Sequence, residues 1–67
     1  MELIINGERM NIPGQIKTAS ELLNYFQLEE KVLIVELNEA ILEKSAHQDT
    51  RLSDGDRIEI VHFVGGG

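Results

Sequence analysis

A chain of 67 residues without a single cysteine has to fold on one hydrophobic core. No disulfide can staple it, and no thiolate is present to act as nucleophile or metal ligand. A domain of this size buries only about 60% of the surface that its unfolded chain exposes. There is room for one core and none for an interior cleft with its own supporting shell. A stand-alone enzyme is therefore a poor fit, and one domain is the most the chain can make.

Turn signals divide the chain into short segments. Glu2 to Ile5, Asn6-Gly7 and Glu8 to Ile12 read as a β-hairpin, because Asn-Gly suits a type I′ turn. Met1, Leu3 and Ile5 share one face, which Met10 and Ile12 can join. Pro13-Gly14 then breaks the strand. Thr18-Ala19-Ser20-Glu21 fits a capping box, followed by Leu22, Leu23 and Phe26 at helical spacing. The spacing predicts an amphipathic helix from Ala19 to Gln27, too short to be stable without packing on a sheet.

Val32 to Leu37 is a nearly continuous β-branched and apolar run, the pattern of a central strand covered at least partly on both faces. Asn38-Glu39 suits a tight turn, and Ala40 to Leu42 a brief strand. The polar stretch Glu43 to Arg51 predicts a loop with a helical turn. Ser53-Asp54-Gly55-Asp56 is a further turn, and Arg57 to Val64 the last strand. Together these elements predict an α+β fold: a mixed sheet of four to five strands with one main helix on one face. A helix-linked crossover allows the first and last strands to lie side by side in parallel.

Charge and composition exclude several functions. Twelve acidic against six basic residues leave a net charge of −6, which a nucleic-acid backbone would repel. Electropositive protein partners suit such a surface better, although simple solubility explains it equally. The two histidines, His47 and His62, have no metal-ligand spacing. Asp54 and Asp56 lack the rest of a calcium loop and suit turn chemistry, and Glu29-Glu30 reads as solvated surface. No metal or intrinsic cofactor is expected. No apolar run approaches membrane-spanning length and no basic leader follows Met1, so the expected compartment is the cytoplasm.

The most unusual feature is Gly65-Gly66-Gly67 directly after an apolar strand. Three glycines are entropically costly to order and pack against nothing, yet they fit a narrow channel in another protein. Extended, they reach on the order of 10 Å. The terminal carboxylate, ionised at neutral pH, can attack a nucleotide α-phosphate to form an acyl-adenylate. A sulfur nucleophile can then displace AMP, leaving a thiocarboxylate. Taken alone, such a tail is explained more simply as a frayed end. In the strand before it, Ile58 and Ile60 alternate onto the core side, as does His62 near the end, while Glu59, Val61 and Phe63 take the other face. An exposed apolar patch beside a reactive end suits partner docking. The plainer alternative is that Phe63 folds over the sheet edge or lies under a loop.

The closing segment from Leu52 through Ser53-Asp54-Gly55-Asp56 to Val64-Gly65-Gly66-Gly67 closely resembles the end of the ThiS sulfur carriers of thiamine biosynthesis. Asn6-Gly7-Glu8 and Val35-Glu36-Leu37-Asn38 also resemble that family, and the likeness covers essentially the whole chain. It implies a ubiquitin-like β-grasp domain over residues 1–64 and a glycine tail over 65–67. It implies a carrier rather than an enzyme, with no catalytic residue of its own. A ThiF-type adenylyltransferase would use ATP and Mg²⁺ to adenylylate Gly67. A cysteine desulfurase system would supply the sulfur, and a ThiG-type thiazole synthase would consume it. Gly65 and Gly66 would thread into the partner, with Glu59, Val61 and Phe63 as the docking face. Two departures stand out: the third glycine, Gly65, and Glu39 where the family commonly has glycine. Alternatives are a MoaD-like carrier for molybdopterin synthesis, disfavoured by the lack of proline before the tail, a ubiquitin-like protein modifier, or a plain interaction module.

Overall fold

A computed structural model describes residues 1–28 and 32–62. Its elements are β1 (Glu2–Ile5), β2 (Glu8–Asn11), α1 (Ala19–Tyr25), β3 (Leu33–Leu37), β4 (Ala40–Leu42), a 3-10 turn (Lys44–Ala46) and β5 (Arg57–His62). The five strands form one sheet in the order β2-β1-β5-β3-β4. β1 and β5 are parallel, and the other neighbours antiparallel. The expected mixed sheet is thus five-stranded, and the last strand of the chain sits at its centre.

The core lies between α1 and one sheet face. Leu3 and Ile5 of β1, Val35 of β3, and Ile58 and Ile60 of β5 meet Ala19, Leu22 and Leu23 of the helix there. Strand alternation accounts for this set: each core residue is two positions from the next along its strand. Ile12 lies one residue past the end of β2 yet is buried, held as its amide donates to the Met1 carbonyl at 2.7 Å.

The capping box forms as the sequence predicts. The Glu21 amide donates to Thr18 Oγ1 at 3.2 Å, and Glu21 Oε1 accepts from the Thr18 amide at 3.0 Å and the Lys17 amide at 2.7 Å. Those two backbone donors hold the Glu21 carboxyl below its ordinary value of 4.5. The helix stops earlier than its spacing suggests. Gln27 takes a left-handed φ of 61°, its amide donates to the Asn24 carbonyl, and the Leu28 amide donates to the Leu23 carbonyl. This is a Schellman ending, with Leu28 folded back against the core. It usually employs glycine at the position that Gln27 occupies here.

Two further differences concern β3. It begins at Leu33, leaving Val32 exposed before it, and it is covered on one face only: Val35 is buried while Ile34 is exposed. The apolar run reads as two-sided because Ile34 faces away from the helix without cover. Beyond β4, His47 is buried and donates from Nε2 to the Leu42 carbonyl at 3.2 Å, a structural role. The turn before β5 is built as its residues suggest. Gly55 has a φ of 87°, Asp56 Oδ2 accepts from the Ser53 amide, and Asp54 Oδ1 accepts from the Glu2 amide at 2.6 Å. Among the described residues, no helix is long and apolar enough to cross a membrane.

Candidate functional site

The strand that leads to the tail is the best supported in the sheet. β5 has a strand on either side, with β3 paired along its whole length from Leu37 opposite Ile58 to Leu33 opposite His62. Its two faces differ sharply. Ile58 and Ile60 point into the core, whereas Glu59 and Val61 are exposed on the face away from α1, as their alternation predicts. His62 lies on the core side at the rim and is exposed. Phe63, Gly65, Gly66 and Gly67 lie outside the described residues, as do Val64 and Glu29-Glu30.

The open face is broader than the residues of β5 alone. Val61 stands opposite Ile34, and Glu59 opposite Glu36, which in turn stands opposite Ile41 of β4. Val61 is 53% exposed, Ile34 43% and Ile41 71%. Three branched apolar side chains therefore occupy one sheet face with two carboxylates between them. Ile34 and Ile41 are the residues that sequence reasoning missed. Their signal is the alternation Ile34–Glu36 and the placement of Ile41 between two residues of the opposite parity.

Two asparagines that the sequence marks only as turn residues also reach β5. Asn6 and Asn38 both take left-handed φ values, of 52° and 50°, at the hairpin turns flanking β5. Each sends its carboxamide to that strand. The residue after each is Gly7 in one turn and Glu39 in the other, both at positive φ. Glutamate thus stands in the second turn where glycine would sit without strain. Among the described residues, no group of three or more His, Asp or Glu is placed to hold a metal ion. Asp54 and Asp56 are engaged in turn hydrogen bonds.

The family model for the ThiS family matches residues 3–67, from β1 through the final glycine. The chain belongs to the ThiS family. The sulfur carrier protein ThiS of Bacillus subtilis (strain 168) is 45% identical over 65 residues, covering 97% of this chain and 98% of that one. A crystal structure of the thiamine biosynthesis protein ThiS from Geobacter metallireducens superimposes with a TM-score of 0.83 at 35% identity, covering 100% of both chains. The fold is thus that of a ThiS protein, and the β-grasp expectation holds. A thiazole synthase of Paramagnetospirillum magneticum is 39% identical over 67 residues, which are 100% of this chain and 20% of that one. A ThiS-like segment therefore makes up about a fifth of that larger protein.

Proposed function

We propose that this chain carries sulfur as a thiocarboxylate on Gly67 and delivers it for thiazole formation in thiamine biosynthesis. As a ThiS-family protein it is a carrier and not an enzyme: its own terminus is the reacting group, and partners supply the catalysis. The observation that carries the reading is the family match through Gly67, joined to a named sulfur carrier of nearly identical length. The thiazole synthases among the relatives, and the likeness to a solved thiamine biosynthesis protein, favour the thiazole branch over molybdopterin synthesis.

In the proposed cycle a ThiF-type adenylyltransferase holds ATP and Mg²⁺. The Gly67 carboxylate attacks the α-phosphorus, pyrophosphate leaves, and an acyl-adenylate results. The terminal sulfur of a persulfide originating from a cysteine desulfurase adds to the acyl carbon and AMP departs with the bonding pair; a thiol then attacks the donor's sulfur in the resulting acyl disulfide, releasing the thiocarboxylate and leaving a disulfide on the donor side. A ThiG-type thiazole synthase then takes the sulfur. The segment found within larger thiazole synthases supports that partnership. Gly65 and Gly66, without Cβ atoms, pass through a narrow channel that larger side chains would block. The cycle is assigned to the cytoplasm.

The fold contributes position. Val61, Ile34 and Ile41 offer apolar contact, and Glu59 and Glu36 add negative charge. A partner surface with an apolar centre framed by Lys or Arg fits this face, with Phe63 beside it in sequence. Docking energy then holds Gly67 against the nucleotide, converting an encounter of two molecules into a reaction within one complex.

The deciding experiment is the intact mass of the chain after incubation with the adenylyltransferase, ATP and a sulfur source. The expected result is a gain equal to exchanging one oxygen for sulfur, confined to the peptide ending at Gly67. Removal of Gly67 should abolish that gain and leave the fold intact. Normal thiocarboxylate formation without Gly67 would sink the reading.

A further inference from the structure

β1 ends before β5 does. Its parallel ladder with β5 pairs Ile4 with Arg57 and Ile5 with Ile58. At its two ends the Ile4 amide donates to the Asp56 carbonyl at 2.9 Å and the Asn6 amide to the Ile58 carbonyl at 2.8 Å. The chain then turns away through Asn6 and Gly7 into β2. Beyond Ile58, no β1 residue pairs with β5 among the described residues.

The Asn6 carboxamide takes the vacant place. The Ile60 amide donates to Asn6 Oδ1 at 2.7 Å, and Asn6 Nδ2 donates to the Ile60 carbonyl at 3.2 Å. One side chain thus supplies the acceptor and donor that another strand residue would have supplied. The ladder gains a step toward the tail, at a residue only 7% exposed where an unpaired amide would be costly. Asn38 acts at the other end of the strand. Its Oδ1 accepts from the Arg57 amide at 3.0 Å, and its Nδ2 donates to Asp56 Oδ1 at 3.1 Å. Asn38 therefore holds the root of β5, and Asn6 holds it near the point where the tail departs.

We infer that Asn6 is a positioning residue for the chemistry at Gly67, its carboxamide fixing the direction in which β5 delivers the tail. The inference rests on the carrier reading above. A misplacement of about 1 Å already slows a positioned reaction severely, so even a small shift of the β5 end matters to the chemistry beyond it. Loss of Asn6 does not detach β5, because β3 still pairs with it through His62. Among the described residues, it leaves the part of β5 beyond Ile58 held by β3 alone. The docking residues on the open face are untouched, so the defect falls on turnover within the complex rather than on its formation.

Asn6→Gly is the informative variant, since glycine accepts the left-handed turn and removes both side-chain bonds. Asn38→Gly is its matched control: the same turn geometry and two side-chain bonds, lost at the root of β5. Steady-state adenylylation of each full chain is measured with the activating enzyme and ATP. Asn6→Gly should lower kcat by about tenfold or more while KM changes by less than about twofold. Asn38→Gly should lose similar thermal stability and keep the native kcat. Asn6→Asp keeps the acceptor for the Ile60 amide but sets an oxygen against its carbonyl, and should fall between. Native kcat in Asn6→Gly, or equal kcat losses in both glycine variants, would overturn the inference.

A second measurement is independent of the activating enzyme. Hydrogen exchange at the Ile60 amide, with ¹⁵N order parameters at Val61 and His62, should show lost protection and lower order in Asn6→Gly and neither in Asn38→Gly. Unchanged values in Asn6→Gly would also overturn it. If the native chain is not adenylylated by an enzyme proven active on another carrier, the carrier reading falls, and exchange and order at β5 alone decide the role of Asn6.

Discussion

The two faces of β5 divide the labour of the molecule. Ile58 and Ile60 are 2% and 7% exposed against α1, whereas Val61, one residue further, is 53% exposed on the other side. All three are branched aliphatic residues of similar chemistry, so composition does not separate them. Position in the pleat does. The inner pair holds a small domain together, and the outer residue stays open on the other face. A strand that served only stability would carry polar groups outward at each alternate position, as Arg57 and Glu59 do.

Substitutions should separate these roles, and the largest effect belongs to the inner face. Ile58→Ala should cost about 2–5 kcal/mol in chemical denaturation, because the site is fully packed and cannot collapse around the loss. In a 67-residue domain that is a large share of the total. A loss below that of an ordinary surface change would mean that the helix face is not the core.

On the outer face, Val61→Asp should change stability by no more than about 0.5 kcal/mol. It should nevertheless reduce kcat/KM for thiocarboxylate formation by tenfold or more, because an apolar contact at an interface centre becomes a buried charge. Ile34→Asp should behave alike, as its cross-strand neighbour. Undiminished sulfur loading in both variants would show that partners dock elsewhere. A smaller effect is expected at Glu59→Lys: association should slow severalfold at low ionic strength, and the difference should fade as salt is added. Salt-insensitive kinetics would remove the carboxylates from the recognition surface.

The smallest effect concerns the helix that covers the inner face. Amide donors at Lys17 and Thr18 hold the Glu21 carboxyl below 4.5 in the folded chain. A depressed folded value stabilises the fold above the unfolded value, and that contribution is lost as pH falls through the folded one. An acid titration followed by circular dichroism should therefore show stability falling below about pH 4.5, and Glu21→Gln should flatten part of that fall. Identical acid profiles would mean that the capping box does not report on the helix.

Local chemistry made much of this architecture legible in advance. Asn6-Gly7 announces its turn, Thr18 and Glu21 announce a helix start, and the alternation from Ile58 to Val61 distinguishes the two faces of the last strand. What escaped depended on partners distant in sequence. The Asn6–Ile60 bonds span 54 positions, and nothing near Asn6 marks them. The run containing Ile34 reads the same whether one face of the strand is covered or two, so the open face was legible only in part. The helix end was missed because Gln27 adopts a conformation usually marked by glycine; the spacing of Leu23 and Leu28 was its only trace. Within the candidate site, Glu59 and Val61 could be named from parity, but the contributions of Ile34 and Ile41 required the register.

The position of β5 has a consequence during synthesis. β1 and β3 are joined only through β5, the last strand to leave the ribosome. Until it inserts, the nascent chain holds two hairpins that share no edge, each with an open side that a newly arriving strand must fill. A product truncated before Arg57 therefore lacks the piece that joins its halves and is left to proteases and chaperones. Completion of the sheet therefore waits on the last of its five strands, however early the two hairpins form.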